Sequence, residues 1–408
     1  MFNDIPISFK DRNESYLVLS KIHEFCKENN VPLIGTDKVE LTQAIINFAK
    51  IDGIKEAKVC NWLEETLKEG IKKVMITKVV NIRGLRNKNK EDWEKLIKSS
   101  FGVEKSNDII RGVHSGDIEL CGYEFNEIEG KVDIISLNFS ILLKEQKTRE
   151  SNYKTIIYPI HIDIYLKNGY IVGRGKSKGL LFKFKRDDED LETYESVNYE
   201  KLIRETFKKV YLSLNIQQEG IQSCNHTFKS SIHFMIDECT KTPPEIMVKL
   251  IEEEECRKNF VKEFFSRKSI NLLDNENYID ALKDIEIFME KYISINSPNK
   301  EIFTFNRYAY PTQIAATDED FSSVEESSVE DTPLQCTSIF FDNKKLIEKQ
   351  KKCDNVSFTF KREAKTYFPN KKFPVILEVK KGYVYVDFRQ YVLEEDIKNV
   401  LSRIIRSD

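Results

Sequence analysis

Apolar residues recur at every second position through one stretch of this chain and at helical spacing through several others. In KTIIYPIHIDIYLKNGYIVGRGKSKGLLFKFKR, residues 154–186, Ile156, Tyr158, Ile160, Ile162, Ile164 and Leu166 alternate with other residues. A period of two places them on one face of a strand and His161, Asp163 and Tyr165 on the other. Lys167-Asn168-Gly169 supplies turn residues that tolerate positive φ. A short strand, Tyr170 to Val172, is expected next, then a loop at Gly173–Gly179, then a strand from Leu180 with Leu180, Phe182 and Phe184 on one face. Upstream, Lys131 to Leu143 alternates through Leu137, Phe139, Ile141 and Leu143. The connections across 117–185 are too short for crossover helices, so an antiparallel β-meander of about five strands is predicted.

Helical spacing appears on both sides of this sheet. Residues 13–29 place Tyr16, Leu19, Ile22 and Cys26 on one stripe. Asp37 with Glu40 resembles a capping box ahead of Leu41, Ala44, Ile45 and Phe48. Lys55 to Glu69 carries Val59, Leu63 and Leu67, with Gly70 as a C′ residue. Two helices across the Asp52-Gly53 turn are compatible with a helix-turn-helix, with Val74 to Ile82 as a wing. Mixed lysines and glutamates on the third helix weigh against a recognition helix. Residues 198–214 form an amphipathic helix able to cover one face of the sheet. A strand is predicted over Phe228 to Ile236, with helices over 244–265 and 278–293. In the last of these Tyr278, Leu282, Ile285, Met289 and Tyr292 form a stripe.

The fold class predicted is α+β. A helical N-terminal unit (1–100) precedes a central antiparallel meander covered by helices (101–310), an acidic Ser-rich linker (311–335) and a small basic α+β C-terminal module (336–408). The linker, PTQIAATDEDFSSVEESSVEDTPLQ, holds seven acidic residues and no basic one, and is expected to be disordered. The module carries sixteen Lys or Arg against ten Asp or Glu, a balance of +6. It is expected to hold a strand near Ser338, a Lys-rich helix, three strands and a final helix from Leu393, with Lys380-Lys381-Gly382 as a hairpin turn.

Composition narrows the function classes. An apolar fraction of 40% with 32% charged residues is a globular balance, and a net charge of −3 rules out a polycation. Eight scattered cysteines without Cys-x-x-Cys read as free thiols in a reducing cytoplasm, or a nucleus in a eukaryote. No apolar run reaches the length of a membrane span. A bias to Lys, Asn and Ile suggests an AT-rich genome and, by association, a genome-conflict or antiviral defence setting.

Candidate chemistry is sparse. GRGKS resembles a phosphate loop, but the expected first glycine position is Tyr170 and a β pattern follows, so nucleotide binding is excluded. What remains is a basic loop in which Arg174, Lys176 and Lys178, with Lys183 and Lys185 beyond it, could meet a phosphodiester backbone. Replacing the first three together by Ala is expected to leave the fold intact. A second basic run, Arg83 to Lys90, adds Arg83, Arg86, Lys88 and Lys90. Tyr170, Tyr383 and Tyr385 would supply stacking surfaces. Cys224, His226, His233 and Cys239, with Asp237, are zinc-ligand types, but Cys-x-His-x6-His-x5-Cys fits no zinc module. Glu378 and Lys380 end an apolar strand as in Mg²⁺-dependent nucleases, with Asp354 or Glu363 as the acidic partner.

The resulting expectation is a non-catalytic binding protein without a cofactor. It would be a nucleic-acid-binding subunit or adaptor, more readily DNA-binding, with a protein partner or a second copy and no membrane. The alternatives are a Mg²⁺ nuclease on Glu378 and Lys380, and a self-associating protein-interaction scaffold using the 278–293 stripe.

Overall fold

The structure is a computed structural model of the 408-residue chain. It describes residues 4–10, 16–82, 84–103, 109–110, 112, 114–146, 153–186, 192–267, 275–317, 323–327, 332–350, 353–363 and 370–405. The chain forms two compact units. The first gathers Met1–Cys224, Arg362–Phe373 and Lys381–Asp408; the second gathers Asn225–Lys361 and Pro374–Lys380.

In chain order the elements begin with helices α1 (Ile7–Lys10), α2 (Leu19–Glu28), α3 (Lys38–Ala49) and α4 (Gly53–Lys68). Strand β1 (Lys72–Val80) and α5 (Lys90–Phe101) follow. Then come β2 (Glu119–Ile128), β3 (Lys131–Gln146), β4 (Tyr153–Tyr165), β5 (Tyr170–Lys176), β6 (Leu180–Arg186) and β7 (Glu192–Val197). Next are α6 (Tyr199–Leu214), β8 (Gln217–Gln218), α7 (Ile221–Thr240), α8 (Pro244–Glu252), α9 (Glu254–Arg267) and α10 (Asn275–Ile295). The chain closes with β9 (Ala309–Thr317), β10 (Ser323–Ser327), α11 (Ser338–Gln350), β11 (Asn355–Lys361), β12 (Lys372–Lys380), β13 (Tyr383–Phe388) and α12 (Glu394–Ile404). The α+β class follows, and β13 with β1, β1 with β5, β5 with β4 and β4 with β3 pair antiparallel.

Local chemistry sets several helix starts. Asp37, Asp52, Asn89 and Asn198 each accept a hydrogen bond from the backbone N–H three residues on, at 2.8–2.9 Å. Each satisfies one orphan donor of its helix. Gly70 takes φ +109° just past α4, and Asn215 takes φ +52° at the end of α6.

In the first unit the strand order is β13-β1-β5-β4-β3-β6-β7, with β2 also on β3 and β8 on β1. β6 therefore returns to the far end of β3, at Lys144–Gln146, rather than pairing next to β5. Register carries one row, Leu137–Ile162–Gly173–Met75–Tyr385, straight across five strands. The neighbouring row is Asn138–His161–Arg174–Val74–Val386, on the opposite face.

The first row lies in the main apolar core. Ile160, Ile162 and Ile164 pack there with Ile203, Phe207 and Val210 of α6 and Trp93 and Ile97 of α5. Each large side chain so buried contributes about 1.5–3 kcal/mol. The opposite face meets the N-terminal helices, whose core of Ile22, Leu41, Ile45, Val59 and Leu63 includes Cys121 of β2 and packs on Ile157 of β4.

In the second unit the strand order is β10-β9-β11-β12. Val356, Phe358, Phe360, Val375 and Leu377 are buried. Arg307 ties the loop before β9 to the carbonyls of Cys239 and Lys241 and to the Gln335 side chain.

Several expectations change. Residues 228–236 lie in α7 rather than a strand. Phe228 and Ile232 fit both periods, but the buried set continues through Met235, Ile236 and Cys239, which is helical spacing, while Phe234 faces out. Ser338 opens helix α11, not a strand. The wing expected after α4 is β1, an interior strand hydrogen-bonded on both edges, to β13 and to β5. Of the loop expected at Gly173–Gly179, Gly173–Lys176 is the second half of β5, and Ser177–Gly179 connects it to β6. Within the acidic segment, β9 and β10 pair from Gln313↔Ser327 to Thr317↔Ser323, so its described residues include strands. The segment's 318–322 and 328–331 lie outside the described residues. In α10, Ile287, Glu290 and Ser294 are the buried positions, and Tyr292 of the predicted stripe is exposed.

Candidate functional site

The alternation of glycine and cation in β5 separates two environments. Gly173 and Gly175 point to α6. A Cβ on Gly173 would stand 2.4 Å from Ile203 Cγ2 and 2.9 Å from Phe207 Cζ, and one on Gly175 would stand 2.8 Å from the Tyr158 hydroxyl. The glycines therefore let the helix approach the sheet closely. Arg174 and Lys176 point the other way and are buried, Arg174 to 3% exposure.

Arg174 is the centre of a closed ion network. Its Nε donates to Asp163 Oδ2 at 3.1 Å, Nη2 donates to the same oxygen, and Nη1 donates to Glu394 Oε2 in the first turn of α12. Ser136 Oγ donates to Asp163 Oδ1 at 2.6 Å. Burial works against the Asp163 charge, but Arg174 and these hydrogen bonds prevail and hold its carboxyl below the usual range. Beside them His161 Nδ1 lies 2.9 Å from Asn138 Oδ1. Burial, then Lys72, Lys68 and Arg174, press its pKa well below the ordinary value, so the ring is neutral.

Lys72 is fully buried, and its Nζ donates to the Leu67 carbonyl at the end of α4. Burial and the nearby Arg174 pull its pKa from 10.5 down to about 7. Lys176 and Lys178 lie over the Tyr16 ring, at 4.0 and 5.1 Å from its centroid, and Lys178 pairs with Glu145 at 3.4 Å. The first part of the expected basic loop, Gly173–Lys176, is thus a strand whose cations fasten the sheet to the N-terminal segment and to α12.

The other predicted nucleic-acid contacts are scattered. Arg83 lies outside the described residues. Arg86 is exposed, but its Nε donates to the Leu166 carbonyl at 2.8 Å. Lys88 is half-buried, and Lys90 is exposed with Glu127 at 3.7 Å. Lys183 has Glu205 at 3.7 Å, and the Lys185 side chain lies outside the described ones. The stacking tyrosines are not exposed. Tyr170, Tyr383 and Tyr385 are all buried; Tyr383 lies under Arg204, and the Tyr385 hydroxyl donates to Glu200.

The nuclease pair lies at the surface. Glu378 and Lys380 are each about two-fifths exposed and pair with one another at 2.9 Å. Asp354, in the same unit, pairs with Lys229. The zinc candidates fall on α7, where the buried Cys224 and exposed His226 are two residues apart and diverge around the helix. His233 Nε2 sits 3.1 Å from the Ile347 carbonyl, beside a cleft of about 230 Å³ in which Lys344 is already paired with Glu290. Cys239 is buried, and burial pushes its thiol up to about 11. No group of three or more His, Cys, Asp or Glu among the described residues could hold a metal ion.

Two features escaped the sequence. Ser140 Oγ lies 2.7 Å from His114 Nδ1 and 3.0 Å from Cys121 Sγ, a serine–histidine–cysteine cluster assembled from distant segments. Ser140 is buried and so is closed to a substrate. The second feature is a set of exposed apolar side chains on the helices of the second unit. On α8, Ile246 and Leu250 face in while Met247, Val248 and Ile251 face out. On α9, Arg257 and Val261 face in while Phe260 and Phe264 are 54% and 47% exposed, with their rings stacked 6.3 Å apart. On α10, Phe288 and Tyr292 are exposed, with ring centroids 4.9 Å apart. The signal was apolar residues on both sides of one helix, a pattern that exceeds what one core face needs.

No protein-family model matches the chain, and no curated protein matches it either. No helix among the described residues is long and apolar enough to cross a membrane.

Proposed function

We propose that the chain is a non-catalytic binding protein, a subunit or adaptor that takes a protein partner on exposed apolar helix faces of its second unit. The observation that supports this reading is the outward Phe260–Phe264 pair, with comparable outward residues on α8 and α10. Exposed aromatic and aliphatic groups of this kind mark surfaces that another protein covers. The test is photo-crosslinking in the cells from which the chain comes, with benzoylphenylalanine at position 260 or 288 and at exposed Leu212 of the first unit as control. Protein adducts at 260 and 288, absent at 212, are expected. A pattern the same at all three positions overturns the reading.

Nucleic-acid binding is the second reading. It now rests on exposed Arg86 and Lys90 and half-buried Lys88 and Lys183, because Arg174 and Lys176 are buried and the Lys178 side chain is enclosed against Glu145. Retention on DNA or RNA with a steep loss in rising salt would support it, and no retention at low salt removes it.

A further inference from the structure

We infer that the partner of the α9 face is a basic amphipathic helix. This rests on the protein-binding reading above and adds the chemistry of what is bound. The apolar part of the site is the stripe Cys256, Phe260 and Phe264, spaced by four and outward along α9. The ring of Phe264 also meets that of Phe265 edge-on at 5.7 Å. The stripe's inner counterpart, Arg257 and Val261, is buried, so the helix has one face committed to its own unit and a second apolar face committed to nothing in the described chain.

Charge selects the occupant. Immediately before the stripe run Glu252, Glu253, Glu254 and Glu255, all exposed. Glu254 pairs with Lys258 at 2.6 Å. Among the described residues, Glu252 and Glu253 form no ion pair, and Glu255 lies in the field of the same Lys258. The carboxylates at this end of the aromatic stripe, of which Glu254 is paired, repel an acidic flank and attract a cationic one. A helix whose apolar face covers Phe260 and Phe264 would bring its polar flank to these glutamates. Lys or Arg there completes the charge, in the manner of helix-in-groove recognition.

The experiment uses the full chain and a fluorescent amphipathic helical peptide of leucine and lysine, with its glutamate-for-lysine counterpart as comparison. Anisotropy titrations should show the basic peptide binding at least about tenfold more tightly than the acidic one, and more weakly as salt rises. The variant F260S/F264S should lose about tenfold or more in affinity. The variant E252K/E253K/E255K should lose the preference between the two peptides. All five positions are exposed, so an unchanged circular dichroism spectrum is expected for both variants, with at most a modest drop in melting for F260S/F264S. Equal affinity for the two peptides, or binding untouched by either variant, overturns the inference. So does a wild-type dimer in sedimentation that F260S/F264S converts to monomer, since a second copy would then cover the face. Adducts at position 260 without any basic preference would remove this inference and leave the protein-binding reading; a lack of adducts removes both.

Discussion

Across β3, β4, β5 and β1, the row Leu137–Ile162–Gly173–Met75 and the row Asn138–His161–Arg174–Val74 lie back to back in one sheet, and both are covered by helices. The first row is stabilised by close packing, with glycine where α6 comes nearest. The second is held by a closed set of charges and hydrogen bonds. Packing tolerates modest loss, because neighbours relax into the space. A buried ion network does not, because removing one member strands the others. The two faces of β5 should therefore respond very differently to substitution.

The largest effect is expected on the polar face. Arg174→Ala leaves Asp163 and part of Glu394 without their cation in a dry site, a loss of about 3–5 kcal/mol by analogy with broken buried pairs. Denaturant unfolding of the variant measures it. A loss under about 1 kcal/mol would mean that water or another cation fills the gap, and the contrast between the faces would collapse. The triple replacement of Arg174, Lys176 and Lys178 by Ala, expected from the sequence to be harmless, should instead prevent folding.

Why the sequence misled at this point is physical. Ile156 to Leu166 was legible as a strand with His161 and Asp163 on its second face, because alternation is visible when one side is apolar throughout. The continuation Gly173-Arg174-Gly175-Lys176 also alternates, but neither of its faces reads as apolar. One set has no side chains and the other is charged, so it resembled a loop. Only the register to His161 and Val74 shows that the cations are enclosed. In α7 the difficulty was different, since Phe228, Ile232 and Ile236 satisfy both periods and the flanking cysteines decide for the helix. For α8 and α9 a helix over 244–265 was legible, but which of its apolar sides faces out depends on tertiary contacts.

Lys72 sharpens the comparison with a change of opposite sign. Its folded pKa, about 7, lies below the ordinary 10.5, so folding favours the neutral amine. Between these values the unfolded chain binds more protons, and the contribution of Lys72 to stability rises with pH. Its penalty is full below about pH 7 and disappears above about 10.5. Lys72→Met should therefore stabilise the chain, by up to about 4 kcal/mol at or below neutral pH. The gain over wild type should shrink steadily as pH is raised toward 10. A gain independent of pH would show that the methionine acts by packing alone.

On the apolar face, Gly173→Ala places a methyl group against Ile203 and Phe207, where only side-chain atoms stand in the way. Shifts of those side chains should limit the cost to about 1–3 kcal/mol. Thermal melting should show it as a modest drop, smaller than that of Arg174→Ala one residue away. The reverse order would mean that the fit of α6 on the glycines, rather than the ion network, is the more demanding constraint on β5.

The smallest effect is expected at the surface of the second unit. Phe260 and Phe264 are each about half exposed and stack on one another. Each ring is about half covered, so replacing both by Ser should cost about 1–2 kcal/mol. Polar serines also reduce nonspecific sticking of the free chain. Against this small cost, any tenfold loss of partner affinity would be an effect on binding alone, since exposed groups can matter to a complex without mattering to the fold. A loss beyond about 3 kcal/mol with the double substitution would instead place the two rings in the core of the second unit, and the outward face of α9 would no longer be available to a partner.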